Sequence, residues 1–135
     1  MNEKQLIEAA FNARERAYVP YSSFEVGAAL LCGSDKVYEG CNIENSSFSL
    51  TNCAERTAIF KAVSQGETDF KAIAVVGGRK GGEELDFCPP CGACRQVLAE
   101  FCKGDFLVIM ARSADDYIAR TLQELLPLSF ELKMN

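Results

Sequence analysis

Two short cysteine-containing segments constrain this chain more than any other feature of its sequence. The first covers residues 51–56 and contains Cys53, and the second covers residues 90–95 and contains Cys91 and Cys94. The C-x2-C spacing of the second segment lets two thiolates reach one tetrahedral zinc ion. Cys53 supplies a third thiolate if the fold brings the segments together. We therefore predict a zinc site where two loop-to-helix junctions meet.

The number of ligands bears on what such a site does. Three protein ligands leave one position open for water, as in catalytic zinc sites, whereas structural sites use four. Cys88 lies just before the pair and would close the site as a fourth ligand. A redox dithiol formed by Cys91 and Cys94 is another possibility. Glu55 favours catalysis, because a carboxylate two residues from a ligand can exchange a proton with metal-bound water without binding the metal.

The chain contains no histidine. This excludes an imidazole base, a Ser-His or Cys-His nucleophile pair and a His-ligated metal. A carboxylate whose surroundings shift its pKa would then be the leading candidate for acid–base chemistry near neutral pH. Arg56 and Arg95 each follow a ligand closely and could donate hydrogen bonds to thiolate sulfur. We favour that role for Arg56, whereas Arg95 could equally be a surface residue.

Apolar runs and turn residues predict one α/β domain over residues 1–135. Strands that alternate with helices late in the chain imply parallel neighbours in a layered sheet. The predicted helices are residues 3–18, 52–65, 91–102 and 117–125, with Asn52 as an N-cap. The predicted strands are residues 24–32 and 37–41, which form an antiparallel hairpin, then 72–76, 106–110 and an edge strand at 128–132.

Charge and hydropathy exclude several classes of partner. A net charge of −5 without a Lys/Arg cluster argues against nucleic acid or an anionic membrane as the main partner. No apolar run approaches the roughly 18 residues that a membrane span needs, and the N-terminus lacks the pattern of a signal peptide. We therefore expect a cytoplasmic protein whose seven cysteines are ligands, core residues or catalytic groups rather than disulfides.

Several motifs carry a family resemblance. Residues 53–55 (CAE) and 90–94 (PCGAC) match the zinc nucleobase-deaminase signature in its three-cysteine form. Residues 24–29 (FEVGAA), 42–45 (NIEN) and 91–98 (CGACRQVL) make the match closer. From about residue 17 to residue 130, the chain resembles the small homotetrameric cytidine deaminases.

This resemblance implies a fold, a reaction and an assembly. The fold would be a three-layer α/β/α arrangement around a central mixed sheet of about five strands. The reaction would be zinc-dependent hydrolysis of cytidine and 2′-deoxycytidine to uridine and 2′-deoxyuridine plus ammonia, in pyrimidine salvage. The protein would be a homotetramer that binds a small nucleoside.

The resemblance also assigns roles to residues. Cys53, Cys91 and Cys94 would hold one zinc ion per chain, and zinc-bound hydroxide would attack C4 of the base. Glu55 would protonate N3 and later the departing ammonia. The remaining assignments are Asn42 and Glu44 on the ribose hydroxyls, Phe24 against the base, the backbone around Ala54 on its polar edge, and Phe48 and Phe130 in a neighbouring subunit's pocket. Core packing is the alternative for both of these last two residues.

Two features depart from the family pattern, and rival functions remain open. Pro89 stands where a serine or another small residue is common, with the extra thiol of Cys88 beside it, and the loop at residues 77–87 is longer than in compact members. One rival is a deaminase of another small aminated nucleoside, such as blasticidin. Another is a non-catalytic thiol-zinc module.

Overall fold

The computed structural model describes residues 1–82 and 85–134. The helices are α1 (Glu3–Arg14), α2 (Ala54–Ser64), α3 (Gly92–Phe101) and α4 (Leu122–Leu125), with a 3-10 turn at Phe48–Leu50. The strands are β1 (Phe24–Cys32), β2 (Val37–Cys41), β3 (Phe70–Arg79), β4 (Leu107–Ser113) and β5 (Asp116–Thr121). None of the helices in this described part of the chain has the length and apolar character needed to cross a membrane.

The strands form one mixed sheet in the order β2-β1-β3-β4-β5. Strands β3 and β4 are parallel, and the other neighbouring pairs, including the predicted β1–β2 hairpin, are antiparallel. Successive side chains of a strand point to opposite faces of the sheet. Leu6, Ile7 and Ala10 of α1 share a buried cluster with one face. Residues of α2 and α3, among them Ile59 and Leu98, cover the other face. This arrangement confirms the predicted three-layer α/β/α fold.

Helix α2 approaches the sheet closely at Gly40 of β2. A Cβ atom on Gly40 would lie 2.5 Å from both the carbonyl oxygen of Ala54 and the amide nitrogen of Ala58. Atoms of L side chains do not come this close to backbone, so only glycine lets the first turn of α2 lie against β2. The start of α2, which carries Glu55, is thereby placed directly on the sheet.

The first helix is shorter than predicted. It ends at Arg14 rather than near residue 18, so Pro20 is not its terminator. The amide of Tyr18 donates to the carbonyl of Asn42, and the carbonyl of Tyr18 accepts from the amide of Glu44. Because these backbone groups pair across the chain, they are not available to continue the helix. The bridge holds Asn42 and Glu44 beside the start of β1.

The last part of the chain corrects two predictions. Residues 117–121, expected to be helical, belong instead to edge strand β5, which pairs with β4 and has exposed and partly buried side chains but no fully buried one. Only Leu122–Leu125 is helical, after a capping box between Thr121 and Glu124. The structure has no strand at residues 128–132, and Leu128 has a φ of 52°, in the left-handed region, which a regular strand does not contain.

Strand β3 is longer than predicted, because it continues through Gly77 and Gly78 to Arg79. Its glycines pair with Val26 and Glu25 of β1. The expected loop at residues 77–87 therefore begins only after residue 79, and its residues 83–84 lie outside the described part of the chain.

Candidate metal and catalytic site

The three predicted ligands lie at the starts of two helices. Cys53 is the N-cap of α2 and Cys91 is the N-cap of α3, and neither side chain makes a capping hydrogen bond. Both thiols therefore remain available as ligands. Cys94 is buried in the first turn of α3. The prediction of Asn52 as the N-cap was wrong, since the side-chain amide of Asn52 donates to the hydroxyl of Thr57 instead.

The distances between the three sulfur atoms fit zinc. All three lie within 4.8 Å of one another, with 4.0 Å between Cys53 and Cys91 and 3.4 Å between Cys91 and Cys94. Tetrahedral coordination with Zn–S bonds of about 2.3 Å requires sulfur–sulfur separations of about 3.8 Å. The observed distances lie on both sides of that value. Cys88 is not part of this group of thiols.

Hydrogen bonds concentrate negative charge on Cys53. A hydrogen bond from the thiol of Cys94 is the largest cause that lowers the pKa of Cys53, to about 5, and the guanidinium of Arg56 adds to it against the effect of burial. The Nη2 atom of Arg56 donates to the Cys53 sulfur over 3.2 Å. The same hydrogen bond and burial raise the pKa of Cys94. Positive ends of two helix dipoles favour thiolates at this position as well.

Arg95 contacts a different part of the chain. Its Nε atom donates to the carbonyl of Pro90 over 2.8 Å, and its Nη1 atom donates to the carbonyl of Leu125 over 2.7 Å. These bonds fix the start of α3 to the C-terminal end of α4. Arg95 therefore supports the loop that carries Cys91, and it gives no hydrogen bond to a thiolate among the residues that the structure describes.

Glu55 is the second residue of α2 and is only 5% exposed. Burial raises the pKa of its carboxyl to about 7, and the negative charge of Cys53 acts in the same direction. A carboxyl with this pKa can both accept and donate a proton near neutral pH, which is the requirement for a general acid–base catalyst.

A cavity of about 200 Å³ opens beside these groups. It brings together Asn42, Ala54, Glu55 and the ligands Cys53 and Cys91. Four further residues line it, namely Val26, Thr51, Cys88 and Pro89. Sequence reasoning missed Val26 and Thr51. Val26 begins an apolar run typical of a buried strand, and Thr51 lies two residues before Cys53 in the segment 51–56, which was a signal that it could be near the site.

The predicted sugar-binding residues are held by backbone groups. The side chain of Asn42 accepts from the amide of Val26 and donates to the carbonyl of Phe24, both over 2.9 Å. Glu44 is buried, and one of its carboxylate oxygens accepts from the amides of Tyr21 and Ser22. The Ser22 side chain is the first cause that lowers the pKa of Glu44. Both side chains are thus fixed before any ligand binds.

The three predicted aromatic residues do not line the cavity in this chain. Phe24 is 40% exposed at the start of β1. Phe48 is 63% exposed and Phe130 is 72% exposed. Core packing within the chain is therefore wrong for Phe48 and Phe130, and their rings are available to contact another chain.

Comparison with known proteins agrees with this geometry. The family model of the cytidine and deoxycytidylate deaminase zinc-binding region matches residues 1–110. A cytidine deaminase from Sporosarcina psychrophila is 53% identical over 130 residues, which are 96% of this chain and 92% of that protein. The crystal structure of a cytidine deaminase from Burkholderia pseudomallei has a TM-score of 0.88 and 47% identity, and the match covers 96% of this chain and 100% of that one.

A match to a protein with a different named activity is weaker. The blasticidin-S deaminase of Bacillus cereus is 29% identical over 129 residues, which are 93% of this chain and 90% of that protein. The chain is therefore more similar to the two cytidine deaminases above than to this blasticidin-S deaminase.

Proposed function

The chain belongs to the cytidine and deoxycytidylate deaminase family, and we propose that it hydrolyses cytidine and 2′-deoxycytidine to the uridine forms and ammonia. The observation that carries this proposal is the position of Glu55. Its buried carboxyl lines the same cavity as Cys53 and Cys91, two of the three thiols whose sulfurs lie within 4.8 Å of one another. A structural thiolate site does not require a buried carboxyl beside it.

Zinc is the metal that suits this group of thiols, and Cys53, Cys91 and Cys94 would hold it. When bound, it supplies Lewis-acid chemistry and lowers the pKa of water. Arg56 offsets part of the charge of three thiolates through its hydrogen bond to Cys53. In metal sites, such supporting hydrogen bonds orient the ligands and adjust their basicity.

Glu55 moves the protons of the reaction. Its carboxylate takes a proton from the attacking water and delivers it to N3 of the cytosine ring as the C4–O bond forms. It then takes the remaining hydroxyl proton and passes it to the amino group, which leaves as ammonia when the C4–N bond breaks. Glu55 is unchanged at the end, and a pKa near 7 suits both directions of transfer.

The other predicted residues would bind and orient the nucleoside. The fixed amide of Asn42 and carboxylate of Glu44 suit sugar hydroxyls, which both donate and accept hydrogen bonds. The backbone around Ala54 would contact the polar edge of the base, and Phe24 would pack against its ring. A ribose-binding pair favours cytidine over blasticidin as substrate.

We also propose the assembly and setting of the protein. The exposure of Phe48 and Phe130 supports a homotetramer in which these rings complete a neighbouring subunit's pocket. The cysteines are all unpaired as thiols, which suits a reducing cytoplasm. Residues 1–135 would act there as one deaminase domain in pyrimidine salvage.

One substitution tests the catalytic role directly. Glu55→Gln should keep stoichiometric zinc and lower kcat by about 10²–10⁴-fold, the usual contribution of a general acid–base group. The assay follows the ultraviolet change of cytidine beside a zinc determination on the same sample. Glu100→Gln, an exposed substitution on α3, is the matched control and should leave activity unchanged.

The wild-type protein separates the rival functions. Bound zinc without turnover of any nucleoside would support a non-catalytic zinc module. Turnover of blasticidin in preference to cytidine would change the proposed substrate from cytidine to blasticidin. Absence of zinc and of turnover, even after reduction and zinc addition, would refute the three-thiolate site itself.

A further inference from the structure

We propose that the Cys88 side chain sets the width of the substrate cavity beside the reacting ring carbon. In this position it limits the acceptance of cytidines that carry a substituent on ring carbon C5. The inference rests on the proposed function and adds a residue that determines specificity.

Cys88 borders the site without belonging to its metal ligands. It lines the cavity together with Glu55 and Cys53, and it lies outside the group of thiols that could hold a metal. The side chain is partly buried. A free cysteine of this kind behaves as a small apolar group. The size of this side chain, rather than any charge, therefore affects how a substrate fits in the cavity.

The backbone of β3 blocks the Cys88 side chain on one side. A Cβ atom on Gly77 of β3 would lie 2.8 Å from the sulfur of Cys88 and 3.2 Å from its Cβ. The thiol thus packs directly on the strand backbone, in the space that a side chain of Gly77 would occupy. Volume added at position 88 cannot extend toward β3, and Cys88 also borders the cavity. We therefore expect a larger side chain at position 88 to narrow the cavity and a smaller one to widen it.

The structure of the cytosine ring indicates which ring substituent the Cys88 side chain would contact. C4 of cytosine is flanked by N3 on one side and by C5 on the other. Glu55 must lie on the N3 side if it is to protonate that atom. We assign Cys88 and Pro89 to the side of the C5 carbon, which carries no hydrogen-bonding group, because they bring no charged group to the cavity. A Cβ atom on Gly77 would also lie 3.2 Å from the ring of Phe24, which places Cys88 next to the residue expected to pack on the base.

The test compares kcat/KM for 5-methylcytidine with kcat/KM for cytidine in each zinc-loaded variant. A missing or extra methylene in an apolar pocket changes discrimination by about 10–200-fold. Cys88→Ala should therefore raise the 5-methylcytidine to cytidine ratio by about tenfold or more, and Cys88→Val should lower it by a similar factor. Cys88→Ser keeps a side-chain atom at the γ position and should change the ratio less than Cys88→Ala does. Because both substrates meet the same enzyme sample, lost zinc or reduced folding cancels in the ratio.

A second substitution, at Gly77 of β3, tests the contact between Cys88 and the strand behind it. Gly77→Ala pushes on the sulfur of Cys88, which is the movable end of its side chain, and should displace it into the cavity. The ratio should then fall as in Cys88→Val, and the double variant Gly77→Ala/Cys88→Ala should recover it. Such coupling between two substitutions is expected of residues in contact and not of distant, independent ones. The preference between cytidine and 2′-deoxycytidine, which differ only in the sugar, should stay constant throughout.

The outcomes separate this inference from the proposed function. Normal cytidine turnover with a ratio that is unchanged in the alanine, valine and Gly77 variants would overturn the assignment of Cys88 alone. Equal losses for both substrates would show a merely structural role and would overturn it too. Absence of cytidine turnover in the wild-type protein would overturn the proposed function and this inference with it.

Discussion

The substitution Gly40→Ala tests how the fold places Glu55. Its Cβ would lie 2.5 Å from the carbonyl oxygen of Ala54 and the amide nitrogen of Ala58, whereas ordinary contacts begin at 3.4 Å. Both atoms belong to the backbone of α2 and cannot rotate away. The helix must therefore shift from the sheet by about 1 Å, a displacement large enough to affect catalysis.

Two quantities should change together in this variant. Overpacking of this kind lowers the free energy of unfolding by about 1–3 kcal/mol. A misplacement of about 1 Å can lower the rate by about 100-fold, and we expect a loss of kcat/KM of that size. Cytidine turnover per zinc-loaded molecule and urea denaturation measure the two effects separately.

Gly27→Ala is the matched control on the other face of the sheet. Its Cβ would lie 2.5 Å from the amide nitrogen of Arg14, and closer still to the carbonyl of Ala10, so it displaces α1 rather than α2. We expect a comparable loss of stability but retention of most of kcat/KM in the folded protein. Equal losses of activity in the two variants would refute the reasoning, as would full activity of Gly40→Ala.

Three further predictions follow from single contacts. Arg56→Ala should weaken zinc binding about 10–100-fold by removing the hydrogen bond to Cys53, and competition with a chelator measures this. Asn2→Ala should lower the free energy of unfolding by about 1 kcal/mol, because Asn2 and Gln5 form a capping box, and should leave kcat unchanged. The folded protein lowers the pKa of Glu44 below its ordinary 4.5, so the stability lost in Glu44→Gln should be full above that pH. It should shrink as the pH falls through the folded-state pKa, which urea denaturation at neutral and acid pH would show.

Much of the fold follows from local sequence, and the errors have physical causes. The bounds of β1 and β2 agree with the prediction, because a continuous apolar run and turn residues mark both strands. The end of α1 was wrong because the backbone of Tyr18 pairs with residues 42 and 44, a contact between distant parts of the chain. Strand β5 spans only Asp116–Thr121 and shows no strict alternation of exposed and buried side chains, so its pairing with β4 determines its conformation more than its own pattern does.

Some features of the site also follow from local sequence, whereas others depend on contacts between residues that are far apart in the chain. The spacing of the cysteines and of Glu55 is local, and the sequence predicts that they belong together. The contact between Cys88 and Gly77 joins different elements, and a prediction based on spacing has no access to it. The role of Arg95 also depends on a residue far away in the sequence, because its partner Leu125 lies 30 residues further along the chain.

Charge explains why the surroundings of the ligands matter as much as the ligands. Zn²⁺ with three thiolates carries a net negative charge, which disfavours formation of hydroxide from bound water relative to a site with neutral ligands. Arg56 brings a positive charge to the Cys53 sulfur. Its Nε atom is buried and has no hydrogen-bond partner among the described residues, so no carboxylate neutralises the guanidinium at that atom. Two helix N-termini add positive potential at Cys53 and Cys91. Such compensation stabilises the thiolates of any zinc site, and in a hydrolytic site that uses a buried Glu55 it also favours loss of a proton from the attacking water.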